Sequence, residues 1–242
     1  MNTDLEFIAG PLENVNGWLL PGAAFLTARL MDFQTGRRIS GSIFEIGVFE
    51  AKYLALLHRK RAAGEMVLGV DTFQWSQAEV AEKNVLAANG SVNDLKLLKQ
   101  DSTTLAADTT LALLGTRPRF VSIDGAHFAE PVRSDLMLAE AIIAEEGVVA
   151  LDDFLNPVAI GVNEGFYKYA FATEQRKLVP FLYIENKLFL CNRHKHDTYF
   201  NFVLDMFDGD ENFPAKERFL DLYNRGRHWV EHELVGTKLW VV

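Results

Sequence analysis

Five short apolar runs, separated by longer amphipathic segments, constrain the fold of this chain more than any other feature. The runs cover residues 42–46, 66–70, 95–98, 119–123 and 147–151. Apolar residues recur at helical spacing between them, over residues 51–58, 76–88, 105–114 and 131–145. Strands that alternate with helices predict β-α-β units and a parallel sheet. The last run has no alternation of polar and apolar residues, which is typical of a strand covered by helices on both faces.

Three regions are predicted along the chain. Residues 1–41 have helical spacing and are expected to form a helical prefix. Residues 42–192 are expected to form the core, which ends in the apolar runs 181–184 and 187–191 on either side of a turn. These two runs predict an antiparallel hairpin. Residues 193–242 are expected to form a C-terminal extension packed on the core.

Charge and composition narrow the class of partner. The chain has 24 Lys and Arg residues against 33 Asp and Glu residues, a formal net charge of −9. Such a surface repels phosphate backbones, so we expect no nucleic-acid partner. No apolar run approaches the roughly 20 residues needed to cross a bilayer, and the amino terminus lacks a signal-like stretch. With the single cysteine, Cys191, in an apolar run, the expectation is a cytoplasmic protein without a membrane partner. Five aromatic residues of the extension are candidates for a homodimer interface: Tyr199, Phe200, Phe202, Phe207 and Phe213.

Carboxylates follow the predicted strands. The acids at the strand ends are Asp71, Asp101, Asp124 and the pair Asp152 and Asp153. The first strand carries Glu45 just before Gly47. Ligands of open α/β sheets bind beyond the carboxyl ends of the strands. Any single Asp here has a structural explanation as a helix N-cap. Several acids on one edge predict a polar ligand site.

The segment after the first strand favours one nucleoside cofactor over another. A dinucleotide fold requires Gly-x-Gly-x-x-Gly there, whereas residues 45–51 read Glu-Ile-Gly-Val-Phe-Glu-Ala. Its two glutamates would repel a pyrophosphate. S-adenosylmethionine has no phosphate and carries an ammonium and a sulfonium, both of which favour nearby carboxylates. A carboxylate at Asp71 can accept the ribose hydroxyls of either cofactor, so a nucleotide-dependent oxidoreductase is the less favoured alternative.

Three of these acids indicate a metal site. If the strands 119–123 and 147–151 are neighbours, then Asp124, Asp152 and Asp153 converge at one corner. Three like charges in a pocket are costly unless they are compensated. A hard divalent cation such as Mg²⁺ is the natural compensation, because it prefers oxygen ligands. The alternative is that Asp152 caps a turn, Asp153 faces solvent and no metal binds.

Taken together, these motifs resemble a known family. Residues 45–51, Asp71, 123–127 and 151–153 are similar to the class I S-adenosylmethionine-dependent methyltransferases of the macrocin and mycinamicin sugar O-methyltransferase type, a group that includes the cephalosporin hydroxylase-like proteins. The resemblance covers roughly residues 43–165. It implies a Rossmann-like α/β three-layer sandwich, in which a mostly parallel sheet carries a C-terminal antiparallel hairpin.

The resemblance also implies roles for individual residues. The cofactor would contact Glu45, Gly47, Asp71, Thr72, Asp101, Ser102 and Asp124. The metal would be held by Asp124, Asp152 and Asp153. His127 matches the position of the general base. Two departures from the family pattern concern Ala51, where relatives usually have glycine, and Ala126, where many have an acid.

The predicted function follows from these roles. We expect an S-adenosylmethionine-dependent, divalent-metal-assisted O-methyltransferase that acts on a hydroxylated small molecule. Two alternatives are a non-catalytic methyltransferase-like binding module and a cephalosporin hydroxylase-like enzyme. Four aromatic residues after the metal corner either cover the acceptor or form the core-facing side of an amphipathic helix, which is favoured: Phe166, Tyr167, Tyr169 and Phe171.

Overall fold

A parallel sheet forms the centre of the molecule. The computed structural model describes residues 3–172, 176–209 and 215–242. The first five strands are β1 (Ser42–Ile46), β2 (Val67–Asp71), β3 (Leu95–Lys99), β4 (Pro118–Ile123) and β5 (Val148–Leu151). They lie in the order β3-β2-β1-β4-β5, and every pair is parallel. All five strands coincide closely with the predicted apolar runs, and β4 and β5 are neighbours as the metal hypothesis requires.

Two hairpins extend this sheet. The predicted antiparallel hairpin is confirmed as β6 (Leu178–Ile184) and β7 (Lys187–Asn192), and β7 pairs antiparallel with β5. The second hairpin is β8 (Glu231–Leu234) and β9 (Thr237–Val241), with β9 parallel to β6. The C-terminal residues therefore add strands to the sheet, which the sequence analysis did not predict. The polar composition of β8 explains the omission.

Helices cover both faces of the sheet. They are α1 (Thr3–Ala9), α2 (Pro21–Gly36), α3 (Lys52–Arg59), α4 (Ala78–Asn89), α5 (Ala107–Leu114), α6 (Ala129–Ile142), α7 (Ile160–Ala170), α8 (His196–Gly209) and α9 (Lys216–Arg225). Side chains of α2, α3, α4 and α8 share one apolar cluster with Ile43, whereas those of α6 and α7 share another with Phe44. Because adjacent strand residues face opposite sides, the predicted three-layer sandwich is confirmed. Among the described residues, none of the helices has the length and hydropathy of a membrane span.

A buried arginine ties the N-terminal helices to the sheet. Arg119 of β4 is fully buried and lies 2.8 Å from Glu65. Its guanidinium also donates to Oε1 of Gln34 in α2 and to the carbonyl oxygen of Lys60. A buried charge is tolerated only when it is paired and hydrogen-bonded. Arg119 therefore fixes α2 against β4 and the end of α3.

The aromatic residues of the C-terminal extension pack within the chain itself. Tyr199, Phe200 and Phe207 of α8 are buried. The ring of Phe202 lies 4.2 Å from that of Phe33 in α2, and Phe213 lies outside the described residues. Their apolar surface is thus used mainly to cover the sheet, and the homodimer stays a prediction.

Candidate active site

The order of the strands places a crevice between β1 and β4. The chain runs from β1 outward to β2 and β3, and then returns to the other side of β1 to form β4. Ligands of doubly wound sheets bind at such a reversal of strand order, outside the carboxyl ends of the strands. The loops that follow β1, β2, β4 and β5 all meet at this edge.

A close backbone contact requires glycine after β1. Gly47 has φ +84°, and a Cβ atom there would lie 1.8 Å from the carbonyl oxygen of Asp124. No other residue fits this position without moving the backbone. Gly47 thus allows the loop after β1 to approach the loop after β4, which is the floor of the crevice.

Asp71 holds the same loop from the other side. The backbone N–H groups of Val48 and Phe49 donate to its Oδ2 at 2.8 Å each, and that of Phe73 donates to Oδ1 at 2.6 Å. A carboxylate has about four acceptor positions, so one remains for a ribose hydroxyl. The predicted cofactor contact of Asp71 therefore stays a prediction, beside an observed role in fixing the loop.

Two residues of this loop adopt a conformation that favours glycine. Phe49 has φ +48° and Ala51 has φ +70°. Left-handed conformations are unfavourable for residues with a side chain. The Phe49 ring stacks on Trp18, at 6.0 Å between centroids, and Trp18 is largely exposed. The sequence analysis noted Ala51 but missed Phe49 and Trp18, whose contact joins distant parts of the chain.

The carboxylates after β4 and β5 meet around a histidine. His127 Nε2 lies 2.9 Å from Oδ2 of Asp153 and 3.9 Å from Oδ1 of Asp124. One potential metal-ligand atom from each of the three residues lies within 4.8 Å of the others. Oδ1 of Asp153 accepts hydrogen bonds from the side-chain amides of Asn156 and Asn186, at 2.6 and 3.1 Å. We call Asp124, His127 and Asp153 the edge cluster.

Asp152 faces a different partner. Its Oδ2 lies 2.5 Å from Nζ of Lys187, which is buried and sits 4.4 Å from the centroid of the Tyr53 ring. Its Oδ1 accepts the backbone N–H of Asp153 at 2.9 Å. Asp152 thus pairs with Lys187 and also lies next to Asp124 of the edge cluster. Its predicted role as the third metal ligand stays a prediction. The sequence carried no signal for Lys187, because the burial of a lysine depends on tertiary packing.

Glu45 is buried next to this ion pair. Only 1% of its surface is exposed, and Oε2 has no hydrogen-bond partner within the described part of the chain. Burial, followed by the nearby Asp124 carboxylate, raises the pKa of Glu45 well above its usual value, although Lys187 opposes this. Burial therefore favours the neutral form of the Glu45 carboxyl. Its contact with a cofactor stays a prediction.

The groups of the edge cluster shift one another's pKa. Burial, and then the charge of Asp152, raises the pKa of Asp124 to about 7. Hydrogen bonds to Asp124 and Asp153 raise the pKa of His127 to about 10. The bond from His127 in turn lowers the pKa of Asp153. Without another positive charge at the cluster, His127 is an imidazolium ion at neutral pH.

The remaining predicted cofactor residues lie at the ends of β2 and β3. Thr72 is exposed directly after β2. Asp101 is exposed and caps a short helical turn; it accepts hydrogen bonds from the hydroxyl and the backbone N–H of Thr103, at 2.7 and 2.9 Å, and these bonds lower its pKa. Ser102 is the first residue of that turn. Their contacts with a cofactor stay a prediction.

Asp135 is a buried acid that the sequence analysis missed. It is 1% exposed, and burial raises its pKa to about 7. It lies behind Gly125, where an added Cβ would be 3.4 Å from Oδ2 of Asp135. A single acid among the polar residues of an amphipathic helix gives no sign that it faces inward.

Comparisons with known proteins agree with this fold. Residues 44–154 match the family model of a methyltransferase domain. Among curated proteins, none matches the chain. The O-methyltransferase NovP superposes with a TM-score of 0.61 over 71% of this chain and 79% of that chain, at 12% identity. CalS11, a TDP-rhamnose 3'-O-methyltransferase of calicheamicin biosynthesis, gives a TM-score of 0.54 over 78% and 93%, at 15% identity.

A third solved structure contains a metal and a cofactor product. The methyltransferase MycE of the mycinamycin pathway, in complex with Mg and SAH, superposes with a TM-score of 0.53 over 78% of this chain, at 17% identity. The matched region spans 54% of MycE. At these identities the structural likeness shows the fold alone. The fold is that of the class I methyltransferases.

The two lines of comparison confirm the predicted resemblance. Residues 44–154 match the model of a methyltransferase domain, and the solved structures with a similar fold include the O-methyltransferases CalS11 and NovP. The matched residues follow a helical segment and are followed by the two hairpins.

Proposed function

We propose that this protein is an S-adenosylmethionine-dependent O-methyltransferase that acts on a hydroxyl group of a small molecule. The observation that carries the proposal is the edge cluster, because it places an imidazole between two carboxylates at the carboxyl edge of a methyltransferase domain. Such a group can take a proton from a hydroxyl that is held in the crevice.

The carboxylates of the crevice suit the charged groups of S-adenosylmethionine. Gly47 allows the loops after β1 and β4 to approach closely. Asp71 offers an acceptor position beside its backbone contacts, and the carboxylate of Asp101 is exposed. These acids suit a cofactor that carries an ammonium and a sulfonium. When bound, S-adenosylmethionine supplies the methyl group, whose bond to sulfur breaks as its bond to the acceptor oxygen forms.

The edge cluster also fits a divalent cation. Asp124 and Asp153 offer carboxylate oxygens, the ligands that Mg²⁺ prefers. When bound, such a cation lowers the pKa of the acceptor hydroxyl and stabilises the resulting anion. Asp152 is occupied by Lys187, so the two carboxylates of the cluster would hold the cation in our proposal.

His127 is the proposed general base. A base must be neutral before it accepts a proton, whereas Asp124 and Asp153 favour the imidazolium form. A cation held by these carboxylates would weaken their hold on the imidazole proton and would lower the pKa of His127. In its neutral form His127 would take the proton of the acceptor hydroxyl, and Asp153 orients the ring through its contact with Nε2.

One experiment tests the proposed activity. Transfer of a radiolabelled methyl group from S-adenosylmethionine to a panel of sugars, catechols and aliphatic alcohols is measured with Mg²⁺ and with excess EDTA. The wild-type protein should methylate at least one acceptor, and His127→Ala should reduce the rate about 100-fold or more. His228→Ala, at a distant position of the chain, is the matched control. Full activity in EDTA would remove the cation from the mechanism.

A non-catalytic binding module is the second candidate function. It is favoured by the loop after β1, where Phe49 and Ala51 occupy left-handed conformations and Trp18 stacks on Phe49. Binding of S-adenosylhomocysteine, measured by calorimetry, without transfer to any acceptor of the panel would support this candidate. Absence of binding would contradict both functions.

A further inference from the structure

We infer that the acceptor carries its hydroxyl group on an uncharged, largely apolar body. This inference rests on the proposed function and names the substrate class of the same site. Exposed apolar side chains lie on the two segments that flank the edge cluster. We call them the apolar rim: Phe128, Leu155, Val158 and Ile160, which are 74%, 58%, 85% and 70% exposed.

The two segments of the apolar rim are in contact. The first turn of α7 packs on the loop after β4, since a Cβ on Gly161 would lie 2.3 Å from the carbonyl oxygen of His127 and 3.0 Å from Cα of Phe128. The backbone N–H of Leu155 donates to the side chain of Asn163 in α7 at 2.9 Å. Phe128 is adjacent to His127 in sequence, and Leu155 follows two residues after Asp153. The rim is therefore continuous with the edge cluster.

The backbone conformation of residues 153–155 supports a functional role for the turn after β5. Asp153 has φ +57° and Leu155 has φ +63°. Left-handed conformations are unfavourable for such residues and persist only where the surroundings enforce them, often at functional sites. Here the side chains of Asn156 and Asn163 hold the turn. The same strained turn directs Asp153 toward His127 and leaves Leu155 exposed to solvent.

The charges of this part of the chain disfavour a phosphorylated acceptor. Residues 124–135 and 152–168, which carry the edge cluster and the apolar rim, contain six Asp and Glu residues but only two Lys and Arg residues. Arg133 lies 3.4 Å from Glu130, and Lys168 lies 2.9 Å from both Glu130 and Glu164. Both cations of these segments are thus paired with acids. A nucleoside diphosphate group would meet carboxylates here, in contrast to the TDP-sugar named for CalS11.

The same charges argue against a membrane surface as the partner. Interfacial segments that bind anionic lipids combine apolar residues with lysine and arginine, whereas these segments are acidic. Single exposed apolar side chains are normal on protein surfaces. The apolar rim, however, has four such side chains on two segments that touch each other next to the edge cluster. A patch of this kind marks a ligand site. An amphiphilic acceptor would place its apolar body on the apolar rim and its hydroxyl group at the edge cluster.

Glucosides with a constant sugar and a variable aglycone test the inference. Binding of methyl, butyl and hexyl β-glucoside and of TDP-glucose to the S-adenosylhomocysteine-loaded protein is measured by calorimetry. Burial of each methylene on the rim should tighten binding about twofold to fourfold, or at least about 30-fold from methyl to hexyl. TDP-glucose should bind more weakly than hexyl glucoside. The preceding titration with S-adenosylhomocysteine reports separately on the proposed function.

Variants of the rim complete the test. The double variant Phe128→Ser, Ile160→Ser should reduce the gain from methyl to hexyl below about fivefold, whereas Leu86→Ser, which removes an exposed apolar side chain on α4, should leave it unchanged. The inference is overturned if the alkyl series shows equal or undetectable binding, or if TDP-glucose binds most tightly. It is also overturned if the rim is an interface between copies, so that the wild type sediments as a dimer and the double variant as a monomer.

Discussion

The Lys187 ammonium lies 2.5 Å from the Asp152 carboxylate, and both groups are buried beneath the edge of the sheet. Lys187 belongs to the hairpin that borders β5, so a residue beyond the matched residues 44–154 provides a charge for the site. This ion pair compensates one of the three acids that the sequence gathers at this corner. Asp124 and Asp153 are left to interact with His127 and, in our proposal, with a cation.

The Lys187→Met variant tests the importance of this ion pair. It leaves Asp152 buried without its counter-ion, which typically costs about 3–5 kcal/mol of the free energy of unfolding. The double variant Lys187→Met, Asp152→Asn should recover most of that loss, because neither charge remains. Urea denaturation measures both values. Lys238→Met, which breaks an exposed ion pair with Glu231, should cost no more than about 1 kcal/mol; a similarly small loss for Lys187→Met would refute the role of the pair.

Asp135 predicts a specific pH dependence of stability. Its pKa is about 7 in the folded protein against an ordinary value of 3.8, so between these values the folded state holds a proton that the unfolded state has released. The free energy of unfolding therefore decreases as the pH rises from about 4 to 7. Asp135→Asn should remove this decrease and stabilise the protein at pH 8 by up to about 4 kcal/mol.

Urea denaturation at pH 5 and pH 8 measures this effect. The gain from Asp135→Asn should be smaller at pH 5 than at pH 8. Asp205→Asn, at an exposed position of α8, is the control and should change stability equally at both values. A stabilisation by Asp135→Asn that does not increase with pH would show that the carboxyl is not held neutral by burial.

The loop after β1 predicts a contrast between two glycine variants. Ala51 and Ala55 are both buried, but Ala51 has φ +70° whereas Ala55 lies inside α3. Each variant loses one buried methyl group. Ala51→Gly also relieves a left-handed conformation, while Ala55→Gly weakens a helix. Ala51→Gly should therefore cost about 1–2 kcal/mol less than Ala55→Gly in thermal or chemical unfolding, and equal costs would mean that the loop is unstrained.

The sequence predicted those features that depend on local patterns. Strands β1 to β5 contain short apolar runs, and the acids Asp71, Asp124 and Asp153 lie at the carboxyl ends of three of them, so their place at one edge follows from a parallel sheet. Polar residues that become buried could not be predicted in this way. The environment of Lys187 and of Asp135 depends on which elements pack against them, and nothing in their neighbouring residues indicates burial.

Two other features have similar causes. Asp152 and Asp153 are adjacent in sequence, and the sequence did not indicate that they have different partners, because consecutive side chains at a strand end point in different directions. One therefore reaches Lys187 and the other reaches His127. Strand β8 contains Glu231, His232 and Glu233, a composition that does not indicate a strand, and it forms because β9 offers it a partner.

A structure of the protein crystallised with S-adenosylhomocysteine and Mn²⁺, with anomalous diffraction to locate the metal, tests the central claim most directly. The account predicts the cofactor product in the crevice between β1 and β4, and an anomalous peak bound by the carboxylates of Asp124 and Asp153 with Asp152 still paired to Lys187. Cofactor density elsewhere, or a peak that touches neither Asp124 nor Asp153, would contradict it.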